Sequence, residues 1–194
     1  CSQVASILGH GFESANDLWL KMTHRAPDTE HKLIFDRGHD MEPKMARDIK
    51  AMGRVLKGQQ VQYRDPDRPW LIYHADGMFP KWTPVHPDDK PQQGAGVCEM
   101  KAPGLWMTRK MEEDGMSEGY IDQTQVGMHV ASAAMGHKIT WATFAYLDYD
   151  SYKTITFDCP ASEDYQAWAL ARIDEFWNCV QRDVPPTPIN PAHI

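Results

Sequence analysis

The spacing of hydrophobic residues predicts three helices in the first third of the chain. Residues 2–9 and 14–22 are short apolar segments separated by a glycine-containing turn, and Ser14 is a suitable N-cap for the second. The third helix, over residues 36–57, has an apolar stripe at intervals of four, four and three residues: Met41, Met45, Ile49 and Met52. Basic residues lie beside this stripe, namely Arg37, Lys44, Arg47, Lys50, Arg54 and Lys57. They form either a solvated helix face or a set of phosphate contacts.

Apolar runs predict three strands in the middle of the chain. They cover residues 61–65, 70–77 and 97–103, and the second ends on Asp76 followed by a glycine. The segment between the last two runs has four prolines and little periodicity. We therefore expect a long loop there.

The second half of the chain predicts two helices and a hairpin. A Met- and Gly-rich stretch at 104–118 is interpreted as a mobile loop. The elements that follow are a helix over 120–134, a hairpin of strands at 138–146 and 152–158, a helix capped by Ser162 that reaches Arg182, and a proline-rich tail at 183–194. This order predicts one α/β (or α+β) domain, with helices flanking a mixed sheet.

Composition narrows the class of protein. With 194 residues and 42% hydrophobic content, the chain suits one globular domain. Four scattered cysteines argue against zinc, an iron–sulfur cluster or a disulfide framework, and for a reducing cytoplasm. No apolar run nears the ~20 residues that cross a membrane. The first residue is Cys1, so we expect further residues upstream. The net charge of −7 is unusual for a nucleic-acid binder, although local basic stripes can bind phosphates on an acidic protein.

The strand at 97–103 carries the candidate chemistry. Glu99 and Lys101 are two residues apart, so their side chains point to the same face of the strand. Burying such a charged pair costs free energy, so a buried pair usually has a binding or catalytic role. The common alternative is that the pair lies on a solvated strand face. If Asp76 lies beside Glu99, the two carboxylates offer hard oxygen ligands for Mg²⁺ or Mn²⁺. Lys101 is then adjacent to a water or a phosphate at that metal.

Two further polar residues lie on or beside apolar helix stripes. Glu42 is one residue off the stripe of the third helix and is either a surface acid or turned inward. Gln123 lies on the core-facing stripe of the helix over 120–134, where a buried amide needs a hydrogen-bonding partner. Without further information, each has a structural explanation.

Together these residues resemble the phage lambda exonuclease and YqaJ-like recombinase family of the PD-(D/E)xK nuclease superfamily. The resemblance runs from Ser2 to about Val130. Its motifs are Ser2-Gln3-Val4-Ala5-Ser6-Ile7-Leu8-Gly9, Leu18-Trp19-Leu20-Lys21, Gly38-His39-Asp40-Met41-Glu42-Pro43, His74-Ala75-Asp76-Gly77, Cys98-Glu99-Met100-Lys101-Ala102-Pro103, and Tyr120 with Gln123 and Gln125. The departures are His74, Ala75 and Ala102, where the family usually has Ser, Pro and Cys.

The resemblance implies a role for each matching residue. Asp76 and Glu99 bind Mg²⁺, with two ions expected and Mn²⁺ as a substitute. The main-chain carbonyl of Met100 completes the coordination, and Lys101 positions or activates the attacking water. Glu42 and Gln123 line the site, Glu42 supporting a second ion. Ser2 corresponds to a serine near the 5′-phosphate.

The activity implied is 5′→3′ exonucleolytic digestion of linear double-stranded DNA to mononucleotides and a 3′ single strand. The family's context adds a single-strand annealing protein as partner, a homotrimeric ring around DNA, and a phage protein in the bacterial cytoplasm. Candidate phosphate contacts are Arg109, Lys110, Arg47, Lys50 and Arg54. The alternatives are a structure-specific or endonucleolytic DNase on the same core and a catalytically silent DNA-binding module.

Overall fold

A computed structural model describes residues 3–27, 33–84 and 91–187. Its helices are α1 (Val4–Leu8), α2 (Ala15–Met22), α3 (Leu33–Ala51), α4 (Leu105–Asp114), α5 (Glu118–Met135) and α6 (Glu163–Arg182). Its strands are β1 (Val61–Arg64), β2 (Ile72–Ala75), β3 (Gly77–Phe79), β4 (Gly96–Lys101), β5 (Trp141–Leu147) and β6 (Thr154–Pro160). None of the described helices is both long and apolar enough to span a membrane.

The chain folds into two compact units, each built from separate stretches of sequence. The first comprises the described parts of Cys1–Glu30, Ser117–Val126 and Ser162–Ile194, and the second those of His31–Met116 and Gly127–Ala161. The assignment of residues 1–194 to a single domain stays a prediction, as does the proline-rich tail, which lies outside the described residues from 188 onward.

The first unit is helical. Its helix α2 begins at Ser14 with a capping box, in which the Ser14 hydroxyl accepts from the Asp17 N–H at 3.1 Å. Helix α6 begins after Ser162, whose hydroxyl accepts from the Tyr165 N–H at 3.3 Å, and ends at Asp183 in a left-handed conformation. Both N-caps agree with the sequence prediction.

The second unit contains the mixed sheet, with strand order β3-β4-β5-β6. Strands β4 and β5 are parallel, and the outer pairs β3–β4 and β5–β6 are antiparallel. The predicted hairpin is therefore confirmed. A separate antiparallel pair joins β1 to β2. Because β4 lies inside the sheet, its residues from Gly96 to Met100 are all buried.

Helix α3 packs on this sheet through the predicted stripe. Met45 and Ile49 are fully buried and belong to a cluster that includes Phe79 and Trp141, whose rings stack with centroids 5.3 Å apart. Helix and sheet therefore share one core, which holds β4 in place from one side. The mixed α/β architecture with helices flanking the sheet is confirmed.

Three local predictions were wrong. Helix α3 ends at Ala51 instead of residue 57, because the left-handed Gly53 (φ 92°) ends the helix. The stretch after Pro103 is helix α4, not a loop: it begins after Gly104 and buries Thr108 and Met111, three residues apart. The run at 70–77 is two strands in different sheets, and it divides at Asp76.

Candidate active site

Asp76 lies at the break between β2 and β3 and is bound to β4 in two ways. Its N–H donates to the Cys98 carbonyl at 3.2 Å, and its Oδ2 accepts from the Met100 N–H at 2.6 Å. The next residue is Gly77, where a Cβ would lie 2.4 Å from Cδ1 of Leu56. Only glycine fits that close approach, so the chain can pass the core immediately after the carboxylate.

Glu99 and Lys101 lie on the same side of β4, as their spacing predicts. Glu99 is 1% exposed, and the Lys101 ammonium donates to its Oε1. The hydroxyl of Tyr73 on β2 donates to Oε2 of Glu99 at 3.2 Å. Both oxygens of this buried carboxylate therefore have a defined partner. Sequence reasoning missed Tyr73, because the contact joins residues that are 26 positions apart on two strands of different sheets.

Glu42 is joined to Asp76 through Gln60. The Gln60 amide donates to Oε2 of Glu42 at 2.6 Å and to Oδ1 of Asp76 at 3.4 Å. His39 Nδ1 also lies 3.2 Å from Oε1 of Glu42, one turn earlier on α3. Gln60 has a positive φ of 58°, unusual for a residue with a side chain. Sequence reasoning missed it too, since no local pattern marks the turn before β1.

The electrostatics of the site show an excess of negative charge. Burial and the nearby Glu99 carboxylate raise the pKa of Asp76 to about 7, against the lowering effects of Lys101 and the Met100 N–H. Glu42 raises it further. Burial, together with the charges of Glu99 and Asp76, raises the pKa of the Tyr73 hydroxyl well above its usual range. An added cation would relieve this repulsion.

The donor set fits Mg²⁺ better than a metal held wholly by side chains. Within the described ranges, no three His, Cys, Asp or Glu side chains are grouped so that they could hold a metal. Glu99 lies close enough to Asp76 for its charge to raise the pKa of the Asp76 carboxyl. Mg²⁺ usually keeps several waters and takes one or two carboxylates plus substrate phosphate, so this pair suits it.

The structure separates the predicted DNA contacts. Arg54 is 3% exposed, and its guanidinium donates to Asp158 through Nη1–Oδ1 and Nη2–Oδ2 distances of 2.6 Å. Its assignment as a DNA contact was therefore wrong, because a buried, paired arginine cannot reach a phosphate. Arg47 and Lys50 are exposed on α3, and Arg109 and Lys110 are exposed on α4.

Two predicted site residues cannot be placed with the others. Ser2 lies outside the described residues. Gln123 is half-buried on α5 within the first unit, whereas the acids lie in the second. Their roles stay predictions.

The chain matches a model of a known protein family. A family model described as a YqaJ-like viral recombinase domain matches residues 1–134. Comparison with curated proteins finds no significant match.

Solved structures share the fold. An alkaline exonuclease (LHK-Exo) from Laribacter hongkongensis is similar with a TM-score of 0.67 and 20% identity, over 94% of this chain and 87% of that one. The same enzyme in complex with dAMP gives 0.67 and 19% over the same shares. A phage-related exonuclease from Haemophilus somnus 129PT gives 0.62 and 10%, over 94% and 92%. Since the family model covers more than half of the sequence, the chain belongs to the YqaJ-like viral recombinase family.

Proposed function

We propose that this protein is a Mg²⁺-dependent exonuclease that digests linear double-stranded DNA in the 5′→3′ direction. The observation that carries the proposal is the half-buried Asp76 carboxylate close to the buried Glu99 carboxylate, with Lys101 beside Glu99 on β4. Two acids can hold a divalent cation and a lysine adds positive charge, and both stabilise the charge that develops during phosphodiester hydrolysis. The exonuclease fold of the neighbours and the recombinase family support the same reaction class.

Each residue has a proposed role. Asp76 and Glu99 hold the cation, Mg²⁺ or Mn²⁺, with the Met100 carbonyl as a further ligand. A divalent cation there supplies positive charge to the phosphate in the transition state. Lys101 holds a water or a phosphate oxygen, since its ammonium already lies at Glu99. Glu42 supports a second ion.

Helix α4 is the proposed path of the DNA backbone away from this site. Trp106 is 68% exposed, and the Lys110 ammonium lies 5.6 Å from the centre of its ring. Arg109 is also exposed, and its Nη2 lies 3.7 Å from Oδ2 of Asp150. Trp106 follows Lys101 by five residues, so their Cα atoms are at most about 18 Å apart. Exposed aromatic and basic side chains within that reach suit stacking on bases and contact with phosphates.

The resemblance to the family motivates a proposal for the wider assembly. We propose a homotrimeric ring around DNA, a single-strand annealing protein as partner for the 3′ strand, and action in the cytoplasm of a phage-infected bacterium. Arg47 and Lys50 on α3, and Ser2, are further proposed DNA contacts. One structural neighbour was solved with dAMP, a nucleoside monophosphate such as an exonuclease releases.

The test uses linear duplex DNA with a 5′-phosphate, labelled at either its 5′ or its 3′ end, and a closed circular duplex. With Mg²⁺, we expect early release of the 5′ label as mononucleotide, late release of the 3′ label, and an intact circle. Lys101→Ala should abolish release. Cutting of the circle would instead identify an endonuclease. DNA binding without metal-dependent cleavage of any substrate would leave a binding module.

A further inference from the structure

Tyr73 is a fully buried residue whose only polar side-chain atom faces the site. It lies on β2, is 0% exposed, and its hydroxyl is 3.2 Å from Oε2 of Glu99. An ionised carboxylate can only accept, so the hydroxyl is the donor. The bond is formed between two strands of different sheets, β2 and β4.

The fold makes room for the Tyr73 ring through Gly127 on α5. A Cβ at Gly127 would lie 2.7 Å from Cε2 and 2.8 Å from Cζ of Tyr73. Real side chains do not tolerate such contacts, so any larger residue would displace the ring. The Tyr63 ring stacks on Tyr73 with centroids 6.5 Å apart. The ring is therefore restrained by packing from α5 and from β1.

Glu99 has its two oxygens engaged by different groups. Oε1 accepts from the Lys101 ammonium and Oε2 from the Tyr73 hydroxyl. Two contacts on separate oxygens fix the rotation of the carboxylate plane, which a single contact leaves free. A ligating carboxylate that is hydrogen-bonded in this way presents its remaining lone pairs in one direction.

We propose that Tyr73 is a positioning residue that orients Glu99 for metal binding, and that Gly127 is glycine because the Tyr73 ring needs its space. This inference rests on the proposed function, since it assumes that Glu99 is a metal ligand. Tyr73 itself touches neither metal nor DNA in this account.

The test is direct metal binding, measured without DNA by titrating Mn²⁺ and then Mg²⁺ into metal-stripped protein in a calorimeter. The variant is Tyr73→Phe, which keeps the ring and removes only the hydroxyl. The matched control is Tyr63→Phe, which removes the same atom from the ring stacked on Tyr73. Far-ultraviolet circular dichroism and melting temperature confirm that each variant is folded.

We expect Tyr73→Phe to raise the Mn²⁺ dissociation constant by about 10- to 100-fold, the usual loss when a ligand's supporting hydrogen bond is removed. Tyr63→Phe should stay within about twofold of the wild type. Equal affinities for the wild type and Tyr73→Phe would overturn the inference, as would an equal loss in both variants, which would indicate general packing. If the wild type binds no metal, the metal requirement of the proposed function itself fails.

Discussion

Two clusters of buried charge in the second unit differ in their balance. Around Arg54, one guanidinium meets one carboxylate, Asp158, whose oxygens also accept from the Trp82 indole at 2.9 Å and the Thr143 hydroxyl at 2.9 Å. Around Asp76, the acids outnumber the cations: Glu99 and Glu42 raise the pKa of Asp76, and Lys101 alone lowers it by its charge. The charges of the first cluster are balanced, whereas the second cluster has an excess of negative charge.

This contrast separates structural from functional charge. A buried ion pair with balanced charges has a structural role and leaves no excess charge for a ligand to neutralise. An unbalanced pair of acids in the same unit costs stability, and we propose that a bound cation completes it. Arg54 shows that positive charge in the sequence is not by itself a DNA contact.

The largest expected effect breaks the balanced cluster. Arg54→Ala leaves Asp158 as an uncompensated buried charge, so the free energy of unfolding should fall by about 3–5 kcal/mol. Arg47→Ala, on the exposed face of α3, should change it by less than about 0.5 kcal/mol. Urea unfolding of both variants measures the difference. Loss of DNA binding by Arg54→Ala at unchanged stability would contradict the structural role.

The second prediction concerns the unbalanced cluster without metal. Because the pKa of Asp76 is raised to about 7, the folded state holds a proton that the unfolded state loses near pH 4. Stability should therefore fall as the pH rises from about 4 to 7, by ~1.4 kcal/mol for each unit of pKa difference.

Asp76→Asn removes this titrating carboxyl. In EDTA, the free energy of unfolding of the variant, relative to that of the wild type, should therefore be higher at pH 8 than at pH 5. A difference on the order of 2–3 kcal/mol is expected from denaturant unfolding at the two pH values. Asp67→Asn, at an exposed position, serves as the matched control. The same pH dependence in wild type and Asp76→Asn would show that Asp76 is not the group responsible.

The smallest effects concern exposed cations on α4. Arg109→Ala and Lys110→Ala should each weaken DNA binding a few-fold and reduce the slope of log K against log salt concentration by about 1. Fluorescence anisotropy of a labelled duplex in Ca²⁺, at several salt concentrations, provides the measurement. Unchanged slopes for both variants would remove α4 from the DNA path.

The sequence predicted the regular elements wherever periodicity was strong. Met45 and Ile49 on α3 are buried as the apolar stripe predicts, and β5 and β6 form the predicted hairpin. Helix α4 was missed because its buried face is narrow, with Thr108 and Met111 the residues it buries. The two-residue spacing of Glu99 and Lys101 correctly predicted that their side chains lie on the same face of the strand, since side-chain alternation is a local property.

Contacts between distant parts of the chain were beyond such reasoning. Arg54 pairs with Asp158, which lies 104 residues later in the chain, and no sequence pattern near Arg54 identifies that partner. Tyr73 and Gln60 reach the acids across strands and turns. The types of residue at the site could be predicted, but the groups that orient them could not.

We propose that Asp76 and Glu99 form a cation site for phosphodiester hydrolysis. The most direct measurement is release of mononucleotides from linear duplex DNA by metal-stripped protein as Mg²⁺ is added, for the wild type and Glu99→Gln. We expect no release in EDTA, release that rises with Mg²⁺ for the wild type, and a rate at least about 100-fold lower for Glu99→Gln. Release in EDTA, or a wild-type rate from Glu99→Gln, would contradict it.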